Sequence, residues 1–179
     1  SGRLGSKLVE LASNKHNAIG TYTSNKPSSE LNYVKIDITK KNEVENCIND
    51  IKPTWIIHTA AITDVDLCEI KKELAWSVNV EGTKNLVEVS RENNIKMIYV
   101  STDFVFDGKT GMYKEYDNPT PINYYGVTKL EGEKIVRSLE DWSIARLSVP
   151  YGWVLPFQKP NFVTWVIESL KKNKKISVV

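Results

Sequence analysis

Histidine, cysteine and methionine are scarce in this chain, at two residues each, and phenylalanine stands at four. Cys47 and Cys68 are isolated and form no CxxC pair, and with only two histidines the chain offers no metal-ligand spacing, so no metal site is expected. Thiols without a disulfide pattern suit a reducing compartment, and a cytoplasmic location is expected. No apolar run approaches the ~20 residues that span a bilayer and no signal peptide is visible, so no membrane association is expected. An excess of one charge is lacking too. The 24 Lys and Arg against 22 Asp and Glu leave a formal +2, with the signs interspersed. That gives no electrostatic footprint for nucleic acid or an anionic surface. The one basic cluster, Lys171, Lys172, Lys174 and Lys175, ends an amphipathic stretch, where it complements a helix C-terminus.

What remains is an ordinary globular composition, 41% hydrophobic and 26% charged over 179 residues, enough for one good core. Short β-rich runs alternate with helical periodicity. Strands are predicted at 18–23, 32–36, 54–58, 96–100 and 142–147, and helices at 41–51, 75–93 and 125–139. A further helical pattern begins at Leu4, Leu8 and Leu11. Such alternation implies βαβ units, a parallel sheet and right-handed crossovers. Parallel sheets of this kind bind ligands beyond the carboxyl ends of their strands. The chemically unusual residues fall there: Asp37 after the second run, Thr59-Ala60-Ala61 after the third, Ser101-Thr102-Asp103 after the fourth, and Arg146 to Ser148 at the fifth.

Gly2-x-x-Gly5 at the head of a helix matches the last two glycines of G-x-G-x-x-G, the dinucleotide fingerprint of the Rossmann-type doubly wound fold. There the backbone approaches a pyrophosphate, and the helix N-terminus supplies N–H groups and a positive dipole end. The motif's first strand and first glycine are expected upstream of Ser1. The 21–26 stretch, Thr-Tyr-Thr-Ser-Asn-Lys, has no acid for a ribose 2′-hydroxyl, and its hydroxyls with Lys26 and Arg3 suit a 2′-phosphate. The cofactor reading is therefore NADPH, with NADH the other candidate. Asp37 either meets the adenine or caps the helix starting near Lys40.

Tyr125 and Lys129 stand at i and i+4, on one face of a helix. A neighbouring cation lowers a phenol's pKa from about 10, making it a general acid for the alkoxide formed as hydride reaches a carbonyl. Thr102, at the strand mouth, is placed to hydrogen-bond the carbonyl oxygen. Asn79 and Thr83, also at i and i+4, either position water or hold the sheet edges together.

The succession Gly-Arg-Leu-Gly, Asp37-Ile38-Thr39, His58-Thr59-Ala60-Ala61, Asn79-Val80-Glu81-Gly82-Thr83, Ser101-Thr102-Asp103 and Tyr125-Gly126-Val127-Thr128-Lys129 resembles the extended short-chain dehydrogenase/reductases. Within them, the 101–108 block, Thr63-Asp64-Val65-Asp66 and Pro121-Ile122-Asn123-Tyr124-Tyr125-Gly126 resemble the dTDP-4-dehydrorhamnose reductases. The resemblance implies an α/β Rossmann-type doubly wound parallel sheet over residues 1–147, and over 148–179 the start of a small C-terminal substrate lobe. It implies reduction of a 4-keto sugar nucleotide by NAD(P)H, with Thr102, Tyr125 and Lys129 catalytic. Gly2, Arg3, Leu4, Gly5, Ser24, Asp37, Ile38, Ala60, Ala61, Thr63, Asn79, Ser101, Tyr125 and Lys129 would bind the cofactor. Thr102, Asp103, Phe104, Val105 and Asn161 would face the sugar nucleotide. Homodimers are common in the fold class, and no segment here marks an interface.

The family's tryptophan after the conserved arginine is absent from Arg146-Leu147-Ser148-Val149-Pro150, and Trp153 is the nearest substitute. The 176–179 stretch is predicted as the next strand. A 4,6-dehydratase requires an acid where Phe104 stands, whereas a 4-epimerase uses the same Tyr and Lys. The regulatory β-subunit of methionine adenosyltransferase resembles these reductases as well, and offers a non-catalytic, dinucleotide-binding alternative.

Overall fold

A computed structural model describes residues 2–27, 29–152 and 161–177. Two compact units divide the chain, 1–35 with 149–179 in one and 36–148 in the other.

In the first unit, α1 (Arg3–Ala12) begins directly after Gly2, whose backbone is extended and whose position leaves the first turn without a side-chain cap or an acidic residue. β1 (Gly20–Tyr22) pairs in parallel with β2 (Tyr33–Lys35). The paired cores are narrower than the predicted runs because only three residues on each side share ladder bonds. α7 (Phe162–Lys171) opens on a capping box: the Asn161 carboxamide oxygen accepts from Thr164 N, and Thr164 Oγ1 accepts from Asn161 N, each at 3.0 Å. Lys171 closes the last turn of α7, favourable to its dipole. Ile176 and Ser177 carry no strand, and Val178, Val179 and Trp153 lie outside the described residues.

The second unit is built around a three-stranded parallel sheet, β3 (Trp55–His58), β4 (Lys96–Thr102) and β5 (Trp142–Leu147), in that order. β4 is central, and Met97, Tyr99 and Ser101 point one way along it and are buried. Helices α2 (Lys41–Ile51), α5 (Gly82–Glu92) and α6 (Tyr124–Val136) accompany the sheet. Ile36, Val44, Ile48, Leu86, Val89, Met97, Tyr99 and Val136 close one core.

Three predictions about this unit need correction. The long helix expected over 75–93 is three elements, α4 (Lys72–Trp76), a π-helical turn (Ser77–Glu81) and α5, and a short α3 (Val65–Ile70) precedes them. Asp64 N-caps α3 through Leu67 N. A π turn adds a residue per turn, which a 3.6-residue period does not register. The fourth strand runs on through Ser101 and Thr102, because both pair with β5, at Arg146 and Leu147. α6 ends at Val136, three residues short of the predicted 139.

α6 sits unusually close to β4. A Cβ on Gly132 would come within 2.1 Å of the Tyr99 hydroxyl, and one on Gly126 within 2.2 Å of the Phe104 carbonyl oxygen. Glycine at both places lets a helix lie against a large ring and a tight turn.

Candidate active site

The C-terminal ends of β3 and β4 and the inner face of α6 gather the chemistry-bearing residues of the second unit. Tyr125, Thr128, Lys129, Gly132, Glu133 and Val136 are all buried along α6, a stripe at helical spacing that would ordinarily be apolar. Here it carries a phenol, an ammonium and a carboxylate at successive i+4 positions. Asn123 begins the helix, its side chain accepting from Gly126 N at 2.8 Å. Glu69 of α3 accepts from Tyr124 N at 2.6 Å, so two elements fix the turn from which Tyr125 projects.

Tyr125 is 8% exposed and Lys129 3%. The phenol lies against Cys68 and Ala75 and edge-on to the Phe104 ring, with centroids 5.9 Å apart. Burial raises the Tyr125 pKa above the ordinary phenol value, with the neighbouring Thr102 hydroxyl pulling it down. The sequence argument expected the opposite direction. Burial also lowers the Lys129 pKa, to about 7, against the opposing pull of the Glu133 carboxylate. Its Nζ rests 4.0 Å from the Tyr99 ring centroid, a cation–π contact. Spacing along a helix places two side chains on one face but does not report the dielectric they enter.

Thr102 is buried at the last position of β4; its hydroxyl donates to Asp103 Oδ1 at 3.1 Å and accepts from Phe104 N at 3.2 Å. These bonds seat a 3₁₀ turn, Asp103–Val105, directly after the strand. Phe104 is 41% exposed, whereas Val105 has no exposed surface, so of these two the ring is the one open to a ligand. Ala60 and Thr63 are exposed and Ala61 half-buried in the loop after β3.

Asn79, in the π turn, is 1% exposed. Its Oδ1 accepts from Ile62 N at 2.8 Å, and its Nδ2 donates to the Ile62 carbonyl and to Thr128 Oγ1, both at 3.0 Å. It thereby ties the loop after β3 to α6. Asp37 does not cap α2, whose N-cap is Lys40 without a side-chain bond. Its carboxylate accepts from both the amide and the hydroxyl of Thr39, and these bonds, with Lys40, hold it below the usual carboxylate range. Ile38 is buried, its flank facing Gly82.

In the first unit, Gly2, Arg3, Leu4 and Gly5 form the N-terminal turn of α1, and Ser24 is exposed just after β1. Asn161, besides capping α7, donates Nδ2 to the Gly152 carbonyl at 2.6 Å.

Three buried residues, His58, Tyr99 and Glu133, were given no role from the sequence. His58, 3% exposed, has Nε2 2.9 Å from Thr83 Oγ1. The Thr83 hydroxyl donates to the Asn79 carbonyl at 2.7 Å, so Nε2 must be the donor in its own bond. Tyr99 lies beside His58, ring centroids 5.4 Å apart. Glu133, 1% exposed, accepts from Ser101 Oγ at 2.6 Å and from Arg146 Nε and Nη2 at 2.9 and 2.7 Å. The signal for Glu133 was present: 125, 129 and 133 share one helix face.

Known proteins resemble this chain in sequence and structure. The chain is 40% identical over 155 residues to the probable low-salt glycan biosynthesis reductase Agl14 of Haloferax volcanii, covering 85% of this chain and 52% of that protein. It is 35% identical over 159 residues to methionine adenosyltransferase 2 subunit beta of Bos taurus, covering 86% of this chain and 46% of that one. A dTDP-4-dehydrorhamnose reductase of Bacillus anthracis, solved in complex with NADP, superposes with a TM-score of 0.80 at 34% identity, covering 99% of this chain and 59% of that one. The chain thus spans about half the length of the curated relatives it matches. The observed architecture is Rossmann-like α/β with parallel sheets. The RmlD substrate binding domain model matches residues 1–179, and the chain belongs to that family.

Proposed function

We propose that this chain is part of an NADPH-dependent reductase acting on a 4-keto sugar nucleotide of the dTDP-4-dehydrorhamnose kind. The observation that carries the reading is the buried set of Thr102 at the end of β4 with Tyr125 and Lys129 on one face of α6. The relatives' names and the NADP held by the Bacillus anthracis protein support it. The residues present suit a dinucleotide. α1 opens on a glycine with space where a Cβ would stand, and no acid sits in its first turn to repel phosphate. Gly2, Arg3, Leu4 and Gly5 would hold the pyrophosphate, and Lys129 the nicotinamide ribose. Ala60, Ala61, Thr63 and Ser101 would line the cofactor, as would Asn79, Asp37 and Ile38. Ser24 would lie toward the adenosine ribose. When bound, NADPH supplies a hydride to the carbonyl carbon, with NADH the weaker alternative.

The chain's own residues handle the oxygen. Thr102 polarises the carbonyl by turning its hydroxyl from Asp103 to the substrate. Tyr125, whose raised pKa keeps its proton in place at neutral pH, donates that proton as the oxygen gains charge. Lys129 then stabilises the phenolate left behind. Asp103, Phe104, Val105 and Asn161 are assigned to the sugar nucleotide side, and residues 148–179 to the start of the substrate lobe that follows the dinucleotide-binding part, 1–147. A homodimer in the cytoplasm completes the reading. Among the described residues no helix is long and apolar enough to cross a membrane.

The likeness to methionine adenosyltransferase 2 subunit beta supports a second reading, a non-catalytic regulatory subunit. The test uses the full-length protein, with NADPH and NADH compared against dTDP-4-dehydrorhamnose by absorbance loss. Substrate-dependent oxidation is expected. Interconversion of sugar epimers without net oxidation points to an epimerase, and dinucleotide binding without turnover to the regulatory subunit. Tyr125→Phe should cut turnover by about 10²–10⁴-fold while leaving NADPH binding nearly intact; wild-type turnover in that variant defeats the general-acid assignment.

A further inference from the structure

The carboxylate of Glu133 is almost completely enclosed, which is costly for a charge unless it is paired and hydrogen-bonded. It is held by Ser101 at the end of β4 and by the two-pronged Arg146 guanidinium from β5, with Arg137 on its own helix at 3.9 Å. Ser101 and Arg146 are themselves register partners across the β4–β5 ladder. One carboxylate on α6 therefore clamps two strands at the sheet end where the proposed chemistry lies. Arg146 reaches further. Its guanidinium lies 4.9 Å from the Phe106 ring, and Nη1 donates to the Glu115 carbonyl at 3.2 Å. Phe106 stacks on Tyr113 with centroids 4.4 Å apart, and the Tyr113 hydroxyl bonds Asp107. The clamp thus continues into the loop that follows Thr102. In the other direction Glu133 stands four residues from Lys129 on the same buried stripe, one helical turn away.

We propose that Glu133 is a positioning residue for hydride transfer, fixing the Ser101 and Arg146 side chains at the strand end that carries Thr102 and keeping the charge on buried Lys129. This deepens the reductase reading and rests on it. A solely architectural ion pair would have no need to stand one turn from the catalytic ammonium, and a solvated glutamate there would be screened. The groups around Lys129 are Glu133 on its own helix, His58 from β3 and Tyr99 from β4. Of these, Glu133 is the one carboxylate. Removing that charge makes the ammonium harder to keep, so any process that needs Lys129 protonated must fail at lower pH.

The test compares wild-type, Glu133→Gln and Glu133→Asp full-length proteins, following kcat and KM from pH 6 to 10. Thermal midpoints identify any variant that fails to fold. Glu133→Gln should lower kcat about tenfold and move the alkaline fall in kcat down by about one pH unit, as expected for losing one nearby charge. KM for the sugar nucleotide should change little, and Glu133→Asp should restore the wild-type pH limb. If Glu133→Gln does not fold, the Glu133→Gln/Arg146→Met pair, which removes both partners of the Glu133–Arg146 ion pair, should show the same displaced limb. A folded variant with an unmoved limb, or a lower midpoint with no change in the pH profile, overturns the proposal. If the wild-type protein does not reduce the keto sugar, the reductase reading fails separately. The Glu133 assignment is then read from NADPH fluorescence, where the alkaline loss of binding must come at lower pH in Glu133→Gln, and an unchanged profile rejects it.

Discussion

Asn79 makes three hydrogen bonds with one carboxamide, all at 2.8–3.0 Å and all in the interior. Both amide hydrogens go to protein partners, so of the two roles the sequence left open, positioning water or joining elements, these bonds supply the joining. Truncation would leave the Ile62 amide and carbonyl without this partner. Asn79→Ala is expected to lower unfolding free energy by about 2–3 kcal/mol, since each unsatisfied buried group costs roughly 1–3 kcal/mol. Urea denaturation measures this, and a loss under about 0.5 kcal/mol would mean that the loop after β3 finds other bonds. Lys129 makes the same point about environment. Its i+4 relation to Tyr125 is plain in the sequence, yet its contact with the Tyr99 ring depends on a residue thirty positions earlier.

At the scale of elements, the seating of α6 on β4 governs how the Tyr125–Lys129–Glu133 face meets the strand end. Gly132 is the closest approach, and Gly132→Ala places a methyl 2.1 Å from the Tyr99 hydroxyl and 2.7 Å from its ring carbon Cζ. Either the helix lifts or the ring turns, at a cost of about 1–3 kcal/mol for overpacking. Tyr99→Phe should recover part of this loss, not all, because Cζ remains. A double-mutant cycle is expected to show coupling of about 1 kcal/mol, and additive effects would place the strain elsewhere. The π turn belongs to this scale too. It interrupts a helix that the sequence reads as continuous, and Asn79 lies within it.

For the molecule as a whole, the second unit encloses ionisable groups that the unfolded chain would leave in water, His58, Lys129 and Glu133 among them. His58 has its pKa lowered to about 3, first by burial and then by the Lys129 charge. A histidine takes up its proton in the unfolded chain near pH 6.5. Between there and about pH 3 the unfolded state therefore binds more protons than the native one, and stability falls as pH falls. The expected slope is about 1.4 kcal/mol per pH unit from this residue alone. Lys129, lowered to about 7, makes stability rise with pH from there toward 10.5. Thermal midpoints of wild-type and His58→Gln proteins from pH 7 to 4 check the first window. The wild type should lose stability faster than the variant, and parallel curves would remove His58 from the account.

Alternating patterns in a single chain determined the order of strands and helices, the parallel class of sheet, and the line Tyr125–Lys129, since side-chain periods of 2 and 3.6 are local properties. The strand-end position of Ser101-Thr102-Asp103 was also local, although pairing with β5 carried the strand two residues further than its own composition suggests. The direction of the Tyr125 pKa, the neutral His58, the seat of Lys129 on Tyr99 and the grip of Glu133 on Arg146 were decided only by the tertiary structure. Each depends on which distant groups exclude water from a side chain and which remain to bond it, and burial and pairing across 13 to 32 residues are properties of packing that no local period records.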